Sequence, residues 1–472
     1  MSTFSGVGTA LSSLIAQRQA LDVSAQNIAN ANTVGYTRQR LNLTSIASQS
    51  VPSMFATTDG VGQGTRSAGT MRLGDVFLDA KVRVASGNAA FLAARAQAHA
   101  ALETSVGEPA APGLSGLLSD LWAGWADVAN GSDRDAARAV LLERGNAVAT
   151  GLHTLYADAR TQWQQARTTT VALVDRVNTA ATSVADLNEK ILAIENSGGS
   201  AHELSDQRDL LVTELASLVG ATSRVRENGQ VDVLVGGNTL VTGDDASALA
   251  VSGATSFVQA TAGEAVTVVW ARLPDHPAGL DGGRVAGLLS VLAPAGDGGL
   301  LTGAAARYDA IATEIATQVN ALHTTGVTPT GAAGGDFFTF TAGQPAALGL
   351  TVALTQAGQV AAGAPGQGEY DGSVAARIAQ LGTAATGPDA RWRGVVADLG
   401  VQTASATSRS KVAATMLASA ESQQLSNASV DIDEETVNML AYQRAYEGAA
   451  RVLTAIDEML DTLINRTGIV GR

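Results

Sequence analysis

A chain of 472 residues carries 30 basic and 44 acidic side chains, and its net charge of −14 argues against nucleic acid or an anionic membrane as partner. It has no cysteine, which excludes disulfides, thiol catalysis and zinc–thiolate centres. Hydrophobic residues reach 46% but aromatics only 4%, so the cores of roughly two to four domains must be packed from Ala, Val and Leu.

No segment is apolar for long enough to span a bilayer. The N-terminus lacks the basic region, uninterrupted apolar core and cleavage pattern of a secretory signal. That leaves the cytoplasm, or export by a route that needs no cleaved signal.

The first predicted element is a helix whose Phe4, Val7, Leu11, Leu14, Leu21, Ala25 and Ile28 recur three and four residues apart, with Arg18 the single polar intruder. Only Arg18, Asp22, Arg38 and Arg40 are charged in this region. A terminal helix so poorly solubilised is expected to enter a larger assembly. The run NIANANTVGYTRQR at 27–40 then ends the helix in a turn, through its Asn cluster and Gly35. Residues 41–74 are polar and Gly-rich and read as an extended loop or hairpin. Gly60, Gly62 and Gly64 lack the preceding strand and following helix that a dinucleotide-binding turn requires.

A helix is predicted over 76–105, closed by Gly107, Pro109 and Pro112, and a second apolar face follows at Leu114, Leu117, Leu121, Trp125 and Val128. Trp122 and Trp125 read as core anchors rather than as a sugar-stacking pair. Ser132 and Asp135 are the expected N-cap of a long run to Ile194, in which Val177, Ala180, Val184, Leu187, Ile191 and Ile194 keep a heptad stripe. Neither Gly nor Pro interrupts 152–195, a rod of roughly 65 Å. A turn at 196–200 leads to a returning helix carrying Leu204, Leu211, Leu215 and Leu218, an antiparallel hairpin.

Beyond Gly220 the period becomes alternating: Val231, Val233 and Val235, a tight turn at Gly236 and Gly237, and a further strand at 266–270. Helices resume at 285–293 and along Tyr308, Ile311, Ile315, Val319 and Leu322 to His323. The Gly-, Ala- and Thr-rich stretch 326–373, with strand-like pieces at 337–341 and 350–354, is expected to complete the β domain. A helix of small and polar residues over 401–426 then leads to the last helix. There Asp431 and Glu434 form an expected capping box, and Met439, Tyr442, Tyr446, Ala449, Leu453, Ile456, Leu460 and Leu463 make a heptad stripe that can zip against the first helix.

The expected class is mainly α with an inserted β-rich domain, the long bundle or coiled coil being formed by both termini and a central helical hairpin. The expected domains are a terminal core of 1–40 plus 431–472, a helical domain of 41–221 plus 285–325 and 374–430, and a small β-rich outer domain of 222–284 plus 326–373.

Signatures of chemistry are missing. The 5 histidines, His99, His153, His202, His276 and His323, show no metal-ligand spacing and read as isolated surface or helix-end residues. No nucleophile elbow or phosphate-binding loop of the Walker type occurs. Asp431, Asp433, Glu434 and Glu435 lack the calcium-loop pattern. No catalytic residue, cofactor or metal is expected.

The run at 27–40 resembles the N-terminal motif of flagellar rod, hook and hook-associated proteins through Asn27, Asn30, Asn32, Gly35 and Tyr36, with Val34 where those proteins commonly carry Pro. The continuation Thr37, Arg38, Gln39 and Arg40 is most similar to the flagellar hook-associated protein 1 family, the hook–filament junction proteins. Segments 206–211, 318–323, 336–338, 433–446 and 455–464 resemble the same family.

That resemblance implies a structural subunit of an extracellular flagellum, exported through the flagellar type III apparatus without a cleaved signal. It implies helical self-assembly through the terminal stripes and three partners: hook protein below, hook-associated protein 3 above, and a cytoplasmic export chaperone holding the C-terminal region. The alternatives are a hook or rod axial protein, which shares the N-terminal motif, and a secreted peptidoglycan-degrading enzyme with axial-type termini, which would need an acidic cluster in the inserted region. On the junction reading, Leu453→Asp is expected to leave the central domains folded but to abolish incorporation; loss of the central melting transition in that variant would contradict it.

Overall fold

Helix periodicity dominates the chain, and helices dominate the fold. The computed structural model describes residues 3–47, 62–109, 113–368 and 370–466. Helix α1 (Thr3–Ala29) is followed by strands β1 (Gln39–Ser45) and β2 (Thr65–Arg72), an antiparallel hairpin that lies along α1. Gly60 and Pro112, invoked above, fall outside the described residues.

Helices α2 (Val76–Val106) and α3 (Leu114–Asn130) come next, then α4 (Asp135–Asn196), whose 62 residues make a rod of about 90 Å. The rod is longer than its Gly- and Pro-free stretch because Gly145 and Gly151 are carried within it. A Cβ on Gly151 would stand 2.6 Å from Leu117 Cδ1, and one on Gly145 2.9 Å from Val352 Cγ2, so both mark close approaches. The expected N-cap is corrected: Arg134 occupies that position without a side-chain cap, and neither Ser132 nor Asp135 does. Helix α2 is closed as expected by Gly107, left-handed at φ 65°, whose N–H returns to the Glu103 carbonyl.

Helix α5 (His202–Val219) returns along α4 as the hairpin predicted from the two stripes. Strands β3 (Thr222–Val225), β4 (Val231–Val235), β5 (Asn238–Thr242) and β6 (Asp245–Ala246) form an antiparallel meander. Its β4–β5 turn places Gly236 and Gly237 at φ 55° and 80°, as a two-residue hairpin of this twist demands. A second sheet joins β7 (Leu249–Gly253), β8 (Val266–Trp270) and β9 (Leu273–Pro277), with the short α6 (Phe257–Thr261) between β7 and β8. Pro274 and Pro277 sit on β9, an exposed edge strand.

Helices α7 (Gly283–Leu292) and α8 (Leu300–His323), strand β10 (Phe338–Phe340), the short α9 (Ala346–Gly349), strand β11 (Leu350–Val352) and α10 (Ser373–Ala379) bring the chain to α11 (Pro388–Ala428) and α12 (Ile432–Asp461). Helix α11 packs on α2 and α12 on α1. The α2–α11 contact uses small residues, with Ala89 and Ala96 buried on one helix and Ala413 and Ala420 on the other.

Two apolar cores are strung along α4. The first holds Leu141 to Trp163 of α4, with α3, α8, α10, Phe337, Phe338, Val360 and Trp392. The second holds Leu173 to Ala185 of α4, with Val212 and Leu215 of α5, the valines of β4 and β5, and Val285. Trp122 and Trp125 are buried in the first core, as core anchors should be. Residues 326–373 do not complete the sheets begun at 222. Strands β10 and β11 pair only with each other and join the first core, because Phe337, Phe338 and Leu350 supply apolar mass that α4 and α8 need covered.

One device repeats where strands meet helices. The side-chain amide of Asn188 donates to the Val231 carbonyl at 2.8 Å and accepts from the Val231 N–H at 3.0 Å. Asn178 does the same to Leu249, at 2.9 and 2.8 Å, and Asn320 to Phe338, at 2.7 and 2.9 Å. Each amide stands in for a neighbouring strand and satisfies both polar groups of one residue.

His323 ends α8 but is fully buried, and His99 is buried within α2, so neither is a surface histidine. His323 Nδ1 donates to the Gly335 carbonyl at 2.6 Å while Nε2 accepts from the Ala361 N–H at 2.8 Å. Burial pushes its pKa down, which preserves that neutral tautomer.

Asn320→Ala strands the buried N–H groups of Phe337 and Phe338 and is expected to remove about 2 kcal/mol of stability, read as a lower urea midpoint. An unchanged midpoint would show that solvent replaces the amide.

Candidate functional site

The sequence singles out two terminal stripes and one motif, and the structure joins them. Helices α1 and α12 run antiparallel: Gly6 lies against Ile456, while Arg38, just beyond α1, binds Glu434 and Glu435 at the start of α12. The expected capping box is only half made. Asp431 accepts from the N–H groups of Asp433 and Glu434, but the Glu434 carboxylate turns to Arg38.

On α12 the predicted stripe is the more buried side. Ile456 is buried, Met439, Tyr442, Leu453 and Leu460 are half-buried, and Tyr446 and Leu463 are exposed. On α1 the buried line runs one step round the helix from the predicted one, through Ala10, Ala16, Ala20, Ser24 and Asn27. Val7, Leu14, Leu21 and Ile28 are half-buried and Leu11 is 51% exposed. The Phe4 side chain lies outside the described residues. Small residues face inward because α1 must accept both α12 and the β1–β2 hairpin, which approach it closely; a Cβ on Gly64 would stand 3.2 Å from Thr9 Cα.

The pair therefore keeps apolar side chains on its outside. Leu11 and Ile15 of α1, with Val437, Leu440, Val452 and Met459 of α12 and Leu463 just beyond it, are all exposed. A helix pair complete in itself would carry polar residues there.

The motif builds the joint between this pair and the body. Asn27, buried, donates from Nδ2 to the Gln39 carbonyl at 2.8 Å and accepts at Oδ1 from the Gln39 N–H at 2.9 Å and the Tyr36 hydroxyl at 2.8 Å. Burial, with the charges of Glu203, Asp206 and Glu435, pushes the Tyr36 phenol up to about 12, so it stays a donor. Asn30 accepts from Thr33 and donates to the Gln26 carbonyl, closing the turn. Asn32 is exposed.

Gly35 adopts φ 81°, and a Cβ there would stand 2.5 Å from Leu210 Cδ1, so this position excludes a side chain twice over. The Thr37 N–H reaches Asp206 at 3.1 Å, and the Arg38 N–H reaches the Ala428 carbonyl at the end of α11 at 2.9 Å. Arg38 Nε binds Glu435 at 2.7 Å, and its terminal nitrogens bind both oxygens of Glu434 at 3.0 Å.

Sequence reasoning missed the partners that receive the motif. Arg72 of β2 bridges Asp206 at 2.6 Å and Asp209 at 2.7 Å, Arg83 of α2 reaches Asp209 at 3.4 Å, and Glu203 accepts from Gln26 and Gln39. Their signal was the spacing of Glu203, Asp206 and Asp209, three residues apart on one face of α5. Among the described residues no group of three or more His, Asp or Glu side chains is placed to hold a metal ion.

Glu435 is only 2% exposed and is paired with Arg38. Arg38→Ala is expected to cost about 3 kcal/mol by leaving that carboxylate buried and unpaired, and Arg38→Met with Glu435→Gln to recover much of it. Urea denaturation read on α12 tests this; no recovery in the double variant would mean that the pair itself, not the orphaned charge, matters.

Comparison with known proteins gives a consistent set. The family model described as the flagellar hook-associated protein FlgK helical domain matches residues 99–338. A model for flagella basal body rod proteins matches 8–37, and one for the C-terminal part of flagellar basal body rod FlgEFG proteins matches 421–466. Flagellar hook-associated protein 1 of Bacillus subtilis is 28% identical over 512 aligned positions, covering 100% of both chains. The Escherichia coli protein of that name is 28% identical over 369 positions, 76% of this chain and 63% of its own length. The Salmonella typhimurium one is 29% identical over 247 positions, 52% and 44% respectively. Among solved structures, the flagellar hook junction protein FlgK from Burkholderia pseudomallei shares the fold, with a TM-score of 0.64 at 16% identity over 73% of this chain and 99% of that one.

Proposed function

The chain belongs to the flagellar hook-associated protein FlgK family, and from that premise we propose that it is the structural subunit of the hook–filament junction, assembling helically through its terminal helices. The observation that carries the assembly mode is the apolar outer side of the α1–α12 pair. Leu11, Ile15, Val437, Leu440, Val452 and Met459 have no covering element within the described residues, and a second copy supplies one. A contact of that kind, between unlike surfaces of successive copies, propagates into a tube rather than closing as a dimer.

The protein is a component of the bacterial flagellum and assembles with other flagellar components. Its neighbours in this reading are the hook protein on one side and hook-associated protein 3 on the other, with an export chaperone covering the C-terminal region before assembly. Export proceeds without a cleaved signal, and the role is structural rather than enzymatic. A rod or hook protein shares the terminal segments, and two matching models bear rod-protein descriptions. The helical-domain match over 99–338 favours the junction.

Val437→Asp combined with Leu440→Asp tests the outer face, since both side chains are exposed and neither supports a core. Expressed in place of the wild-type protein, the variant should melt as the wild type does, be missing from isolated hook–basal bodies, and leave cells without filaments. Normal incorporation would remove this face from the assembly contact.

A further inference from the structure

A second uncovered apolar surface lies on the body. Helices α2 and α11 pack on each other through alanines, and beside that contact they leave a groove of about 650 Å³. Ala413 and Ala420, both buried, line it together with the exposed Val84, Met416 and Phe77, the last 86% exposed. Small residues flanked by large ones leave a trough of the shape that receives a ridge of another helix. Exposed apolar side chains elsewhere on the body, such as Val140, Val225, Val258 and Leu273, are spread over four elements.

The groove also carries a charge pattern. Lys81 lines it, and about one turn further along the same two helices its continuation is lined by Leu92, Val401, Arg95 and Arg409. Every ionised side chain in this lining is basic, in a chain whose net charge is −14. Neither Asp79, which is held by Gln424, nor Glu421 lines it. The far half of α12 is the complement: Glu447, Asp457, Glu458 and Asp461 are exposed there against Arg451 alone.

On the helical assembly mode proposed for the terminal pair, on which this inference rests, we propose that the α2–α11 groove seats the outer side of α12 from a neighbouring copy. Val437 and Leu440 lie three residues apart and Val452 and Met459 seven apart, so each pair falls on one side of the helix. That ridge, on entering the groove, covers Phe77, Val84 and Met416 and is itself covered. The acidic half of α12 then lies along Lys81, Arg95 and Arg409, which sets the direction of docking more than it adds affinity. Within one chain α12 packs on α1 and the groove stays open, so a second copy supplies the occupant. Groove and ridge are unlike surfaces, and their contact repeats from copy to copy instead of closing on itself.

The chain has no cysteine, which makes site-directed cross-linking specific. Met416→Cys is combined in turn with Val437→Cys, Val452→Cys or Met459→Cys, and each variant is expressed in place of the wild-type protein. Isolated hook–basal bodies are then treated with a short bismaleimide. The expected result is a ladder of multimers of this chain in at least one combination, with mass spectrometry joining position 416 to α12 of another copy. Links between copies of the Met416→Cys variant alone would mean that grooves face each other. Links among α12 positions alone, a link from position 416 to a different protein, or no link in incorporated protein would equally overturn the seating. Phe77→Asp with Met416→Asp gives a second measure that needs no cross-linker: the variant should melt as the wild type does and be missing from hook–basal bodies. Its normal incorporation, beside exclusion of the Val437→Asp and Leu440→Asp variant, would overturn this inference alone. Normal incorporation of both would remove the reading on which it rests.

Discussion

An uninterrupted helix of 62 residues has far more side to cover than any one layer of this chain can supply, and the rest of the architecture answers that demand. The first half of α4 is covered by α3, α8 and the β10–β11 hairpin; the second half by α5 and the sheets that follow it. Its glycines matter at two points only, where Leu117 and Val352 come too close for a Cβ. Because both cores use the same rod, neither can shift along it without breaking register with its own half. Asn178 and Asn188 fasten that register to particular strand residues.

Much of this was legible because periodicity survives where one face is dry. The heptads of α4, the alternation of Val231, Val233 and Val235, and the paired glycines of the β4–β5 turn all report burial directly. The inward line of α1 was not legible, since Ala16, Ala20 and Ser24 carry little hydrophobic signal and the larger Leu11 and Ile15 point away. The home of 326–373 was hidden for another reason: alternation identifies a strand but not the surface that the strand covers. At the joint, Asn27, Gly35, Tyr36 and Arg38 stood out in the sequence, and segment 206–211 stood out as a resemblance, but nothing in the sequence paired Glu203, Asp206 and Asp209 with the motif. A buried ion pair and a solvated one read alike until the fold brings Arg72 and Arg83 across.

The terminal pair and the body differ in how they are finished. The body closes two cores and keeps most of its large apolar side chains inside. The pair leaves Val437, Val452 and Met459 in the open along its outer side. On the proposed assembly mode, stability and assembly fall to different parts of one chain, and the motif at 27–40 is the place where those parts are held together.

The covalent chain crosses that joint twice, once after α1 and once between α11 and α12, and the Arg38 N–H ties one crossing to the other through the Ala428 carbonyl at 2.9 Å. A pull along the terminal pair is therefore divided between two strands lying side by side rather than borne by one. Tension on either crossing draws the Arg38–Glu434–Glu435 cluster along with it, so the helix pair and the body are strained as a unit. The joint therefore shares a load between two crossings that the Arg38 N–H and the Arg38–Glu434–Glu435 cluster couple.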